Sequence, residues 1–133
     1  MKKQQGFSIV MAIFILVVLS LLGSYMVKLS GVQNTTSTYA IQGARAYQAA
    51  RAGAEWSVAS IVASGTCASV IAASPLSFPG LEDFSVALQC ASTLYEEGID
   101  SGTIYKITST STFAAYSSPD YISRRVEISI KLP

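Results

Sequence analysis

The chain has 133 residues, half of them hydrophobic and only 13% charged, with a net charge of +1, whereas an ordinary soluble domain is about 25% charged. That length holds one compact domain plus an appendage, and the charge balance leaves no basic surface large enough for nucleic acid. Histidine is absent, which removes the commonest general base and metal ligand, while two cysteines are too few for a structural zinc site and enough for one disulfide.

Between Lys3 and Lys28 no residue is charged, and 17 of the 21 residues from Phe7 to Val27 are apolar, the exceptions being Ser8, Ser20, Gly23 and Ser24. About 20 apolar residues span the hydrocarbon core of a bilayer, whereas a signal-peptide core is shorter. Lys2 and Lys3 precede the stretch and Lys28 follows it, so the positive-inside rule puts the N-terminus in the cytoplasm and the rest of the chain across the membrane. Three fates fit such a segment. Signal peptidase could cut near Gly23-Ser24, the segment could stay as an uncleaved anchor, or cleavage could fall before the apolar run and leave the helix attached.

After Lys28 the chain turns polar but keeps helical spacing to about Val62. Ala40, Ala44, Tyr47, Ala50, Ala54, Val58 and Ile61 recur at intervals of three and four, predicting one buried helix face. A helix from Phe7 to Val62 would have 56 residues and run for about 84 Å. The polar run Gln33–Thr38 contains poor helix formers, so fraying, bending or local exposure is expected there. Trp56 is expected beneath a sheet.

Residues 63–133 carry turn punctuation at Gly65, Pro75, Pro79, Gly80, Gly98, Gly102 and Pro119. Val126, Ile128, Ile130 and Leu132 alternate with polar residues, Phe84, Val86 and Leu88 do likewise, and Ile104–Thr112 is rich in β-branched side chains. Three or four antiparallel strands against a helix follow. Cys67 and Cys90 would close a loop of about 24 residues and contribute roughly 3 kcal/mol if bridged; two buried free thiols are the alternative.

No chemistry-bearing constellation emerges from the remaining residues. Without histidine a Ser nucleophile would need a lysine base, and Lys28, Lys106 and Lys131 have no accompanying motif, so no enzyme activity, cofactor or small-molecule substrate is expected. Glu96, Glu97 and Asp100 beside Gly98 and Gly102 form the densest acidic cluster, either a solvated turn or a set of oxygen ligands for Ca²⁺. Tyr95, Tyr105, Tyr116 and Tyr121 could form an aromatic patch or fill a small core.

The opening MKKQQGFSIVMAIFILVVLSLLGS, a short basic leader ending in Gly6 followed by Phe7 and an apolar helix, resembles the class III leader of type IV pilins and type II secretion pseudopilins. The resemblance implies cleavage by a prepilin peptidase between Gly6 and Phe7 and N-methylation of Phe7. It divides the chain into a leader at 1–6, a membrane-spanning or filament-core helix at 7–27, an amphipathic helix half at 28–62 and a small antiparallel-sheet domain at 63–133. The implied fold class is α+β and pilin-like, a long N-terminal α-helix packed against a small C-terminal β-sheet. Where most pilins carry a Glu that pairs with a neighbouring subunit's terminal amine, this chain has Met11, a departure shared with minor pilins such as those of the mannose-sensitive haemagglutinin pilus. Implied partners are other pilin subunits through the N-terminal helix, the peptidase and the bacterial inner membrane. The resemblance implies a minor pilin role in priming or assembly, at a position near the tip; a type II secretion pseudopilin and a single-pass envelope protein with a periplasmic binding domain remain alternatives.

Overall fold

The computed structural model describes residues 7–133, with side chains from Ile9 onward. Its elements in chain order are α1 (Phe7–Ser64), α2 (Ala68–Ala73), β1 (Ser85–Glu97), β2 (Asp100–Phe113) and β3 (Ile122–Leu132). This is an α+β protein in which a long N-terminal helix backs a small three-stranded antiparallel sheet of order β1-β2-β3. The chain divides into two compact units, one up to Ala40 and one from Ile41 to Pro133.

Helix α1 forms because nothing before Pro75 interrupts it. It runs without a break through Gln33–Thr38, where fraying or bending was expected; of the expected behaviours only exposure is found. The hydroxyls of Thr35, Thr36 and Thr38 donate to the carbonyls of Gly31, Val32 and Asn34 at 2.9–3.0 Å. Side chains that compete for backbone bonds elsewhere here fold back onto the helix. The helix ends two residues later than Val62, at a residue followed by Gly65 with φ +68, whose N–H donates to Ile61 O at 2.7 Å. That is a left-handed glycine cap.

In the second unit, the face of α1 against the sheet consists of Gly43, Ala46, Ala49, Ala50, Gly53, Ala54, Ser57 and Ile61. The sequence stripe captured Ala50, Ala54 and Ile61, but Ala44 and Tyr47 are exposed and Val58 half-buried. The reason is close approach. A Cβ on Gly53 would lie 2.6 Å from Ser109 Oγ and 2.6 Å from Val86 Cγ1, so the helix seats through its smallest residues, which a search for large apolar side chains passes over. Trp56, expected beneath the sheet, is on the exposed side of the helix, one position before Ser57, which the sheet covers completely.

Val86 and Leu88 of β1 and Tyr105, Ile107, Ser109 and Ser111 of β2 make the buried sheet face, with Ile128 and Ile130 of β3 packed at its margin. Alternation along each strand puts polar residues on the other face. β1 and β2 pair in an unbroken register from Ser85↔Thr112 to Glu97↔Asp100, turning at Gly98 with φ +67 and Ile99. A glycine at the first of two turn positions, followed by a residue with negative φ, is the hairpin arrangement that matches strand twist. Helix α2 adds Val70 to the core, and Leu76 forms an isolated bridge with Val86.

Candidate functional site

The feature that dominates the first unit is the apolar stretch of α1. From Ile9 to Val32 every large hydrophobic side chain is exposed, and the helix contains a window of mean hydropathy 2.6, long and apolar enough to cross a membrane. The physical requirement for that environment is internal satisfaction of polar groups. The two serine hydroxyls described within the apolar run comply, Ser20 Oγ donating to Leu16 O at 2.7 Å and Ser24 Oγ to Ser20 O at 2.9 Å. Met11 is half-exposed in this run, and its thioether carries neither a charge nor a donor. Gly6 lies outside the described residues and Phe7 is described only as the first residue of α1, so the expected leader cleavage and Phe7 methylation fall beyond the described side chains.

In the second unit the two cysteines meet. A disulfide joins Cys67, just past α1, to Cys90 at the middle of β1, with the Cα atoms 5.5 Å apart. It is one of three ties at the same end of the helix. Tyr105 Oη donates to Gly65 O at 2.6 Å, and Ser60 Oγ donates to Ser69 Oγ at 2.9 Å. Together they hold the helix end to the first two strands and to α2.

The acidic trio does not converge. Glu97 faces Asp100 across the turn, whereas Glu96 pairs with Ser101 and, one residue along the strand, points to the opposite face. Among the described residues no group of three or more His, Cys, Asp or Glu is placed to hold a metal ion. The four tyrosines also separate. Tyr105 is buried, Tyr116 and Tyr121 stack edge-to-face at 5.2 Å in the β2–β3 connection, and Tyr95 lies under Lys131 Nζ at 4.3 Å from the ring centre. Tyr95 also covers Gly102, where a Cβ would approach its ring to 2.8 Å. The ring thus substitutes for the missing side chain on that strand.

Two charged groups are shifted by their neighbours. Glu82 accepts from Gly80 N–H at 2.8 Å, which holds its carboxyl below the ordinary value. Arg51 is raised by its hydrogen bond to Glu55, at 2.7 Å. This ion pair rims a shallow groove of about 380 Å³ floored by Ala54, Val58, Val126 and Ile128 and closed at one side by Tyr47. Tyr47 and Val58, expected in the buried stripe, therefore sit at the seam between α1 and β3.

Comparison of the chain with protein-family models, with curated proteins and with solved structures finds no match.

Sequence reasoning missed the small-residue seat of the helix and the open outer edge of β1. The first was signalled only by Gly43, Gly53 and Ser57 at helical spacing; the second by the absence of any charge from Ser85 to Tyr95.

Proposed function

We propose that the protein is a minor subunit of a type IV pilus of the mannose-sensitive haemagglutinin kind, acting in filament priming or assembly through its N-terminal helix and not through a reaction of its own. Before assembly it sits in the bacterial inner membrane, N-terminus in the cytoplasm and the sheet domain in the periplasm. Prepilin peptidase cuts between Gly6 and Phe7, and the new amine of Phe7 is methylated.

The observation that carries this reading is the junction at Gly6-Phe7. A short basic leader ending in Gly6 gives way at Phe7 to the apolar run, which lies within α1. The same helix continues into the half on which a disulfide-stapled antiparallel sheet is seated. An ordinary membrane anchor needs only the first of these halves. A subunit that packs by its helix and carries a small domain on the same rod uses both.

The deciding experiment is the intact mass and N-terminal sequence of the protein purified from membranes, with and without co-expressed prepilin peptidase. A peptidase-dependent start at methylated Phe7 is expected. Met1 retained in the presence of active peptidase would replace the pilin reading with a plain single-pass envelope protein, and a start after Gly23 would make it a secreted domain. Given the Phe7 start, loss of pili or loss of secretion on deletion distinguishes a pilus subunit from a secretion pseudopilin.

A further inference from the structure

The two edges of the sheet are built differently. β3 carries Arg124, Arg125, Glu127 and Lys131 along its 11 residues, the usual guard against unwanted strand pairing. β1 carries no charge from Ser85 to Tyr95 and no proline, and it has no bulge in its 13-pair register with β2. Long, uncharged and regular, it lacks the charges, prolines and bulges that blunt an edge, and only its first residues are covered, by Ser74 and Leu76.

The backbone on that edge can be followed residue by residue. Val86 sends both its N–H and its carbonyl outward, to Leu76 at 2.9 Å each, and Leu88 N–H goes to Ser74 Oγ at 3.0 Å. By the two-residue period of a strand, the outward groups further along belong to Cys90, Ser92 and Leu94. None of these has a partner among the described residues. The side chain of Leu94 is 81% exposed on the same stretch. Beyond it the strand ends in Glu96 and Glu97, its only charges.

We propose that the outer edge of β1, from Cys90 to Glu96, is a docking site for an extended segment of a different protein, added as a fourth, antiparallel strand. Main-chain hydrogen bonds to Cys90, Ser92 and Leu94 supply the recognition common to strand addition, and Leu94 offers an apolar contact for an alternate side chain. The uncharged run fits a partner segment without charge over its central residues. The acidic end fits a Lys or Arg at the partner's N-terminal end, which antiparallel pairing brings beside Glu96 and Glu97. A second copy matches this only in part: its β1 brings no cation, and its β3 would place Arg124 and Arg125 beside Glu96 and Glu97 but set Glu127 and Lys131 against the uncharged stretch. Leu76 and Ser74 occupy the other end of the edge and limit the added strand to the stretch beyond Leu88.

The test uses the full chain, disulfide intact, in detergent micelles, with a fluorescein-labelled peptide KKTVTVTVT and its charge-reversed form EETVTVTVT. Ser92→Pro removes an outward donor without touching the β1–β2 ladder, where proline is tolerated on an edge; Leu94→Lys adds a guard at an exposed position. Anisotropy should show the lysine peptide binding the wild type at least about tenfold more tightly than either variant and than the glutamate peptide, a difference of about 1.4 kcal/mol. Circular dichroism and Tm of Leu94→Lys should match the wild type, which keeps the comparison valid if Ser92→Pro is poorly folded. Absence of peptide binding to the wild type, or equal binding to a folded variant, overturns the proposal. So does sedimentation of the wild type as a dimer that both variants abolish, which would assign the edge to a second copy.

Discussion

Gly53 and Ser109 face each other so closely that a Cβ on the glycine would stand 2.6 Å from the serine Oγ. The helix and sheet of the second unit are therefore in backbone-range contact at this point, and Val86 and Leu88 complete the socket. Gly53→Ala adds a methyl that has nowhere to go. Overpacking costs about 1–3 kcal/mol, while alanine's better helix propensity returns about 1 kcal/mol, so a net fall in Tm of roughly 5–10 °C is expected for a unit of this size. Gly43→Ala is the contrasting variant, because its added Cβ would meet only the movable guanidinium of Arg124, at 3.1 Å. Its Tm should be unchanged or higher. Equal Tm values for the two variants would show that the sheet can retreat from Gly53.

The sheet side of the same contact predicts the opposite sign. Ser109 Oγ and Ser111 Oγ are buried and have no hydrogen-bond partner among the described residues, and a hydroxyl left unpaired costs about 1–3 kcal/mol. Ser109→Ala and Ser111→Ala should leave thermal stability unchanged or raise it. Ser109→Val should lower it, by overfilling the space against Gly53. A marked fall for the alanine variants would reveal a bound water serving those hydroxyls.

These contacts mark where the sequence was legible and where it was not. Strand alternation at Val126–Leu132 and Phe84–Leu88 was plain, because one sheet face is buried and the other wet. The disulfide was legible because only two cysteines exist. The helix register was misread at Ala44 and Tyr47, since the seat is made of Gly, Ala and Ser, and small residues show their role only when the opposing backbone is in place. The acidic residues around Gly98 looked like one cluster in sequence but alternate between faces once the hairpin forms. The uncharged run of β1 was legible but not its meaning, because which strand lies outermost is a property of topology, not of local pattern.

Removing the Cys67–Cys90 bridge should weaken the second unit without abolishing its fold. The linked residues are 23 positions apart, and the chain-entropy model gives about 3 kcal/mol for a loop of that size. The Cys67→Ser/Cys90→Ser variant should lose stability of that order by urea unfolding. Tyr105→Phe, which deletes the hydroxyl bound to Gly65 O, should cost about 1 kcal/mol. Combining them tests whether the ties act together; a loss smaller than the sum means that each supports the other's geometry, and a loss beyond the sum that either tie alone suffices.

Glu82 ties the Pro79–Gly80 turn together from an exposed position. Its carboxylate accepts the Gly80 N–H, and that bond, with a second from its own backbone, lowers its pKa from the ordinary 4.5. A group whose folded value is depressed adds stability that is complete above the unfolded value and disappears as pH falls through the folded one. The wild type should therefore show no contribution to pH dependence from this group between pH 7 and 5, and a small loss of Tm below about 4.5. Glu82→Gln should flatten part of that acid limb. Superimposable Tm-against-pH curves below that point would mean that the turn holds without the carboxylate.

Met11 carries the sharpest consequence of the proposed pilus role. It lies in the charge-free run of α1, half-exposed along its side, and at the fifth position after the expected cut. A carboxylate there would be expensive in hydrocarbon unless paired, and the available partner in a filament is the terminal amine of the adjoining subunit. Met11 can offer no such pairing, so repeated incorporation along the shaft is disfavoured and a priming, tip-proximal place is favoured. Met11→Glu should supply the missing charge and spread the subunit along the filament, which immunogold labelling of wild-type and variant pili would display. Identical labelling would remove the charge argument for position while leaving the leader cleavage to be judged on its own measurement.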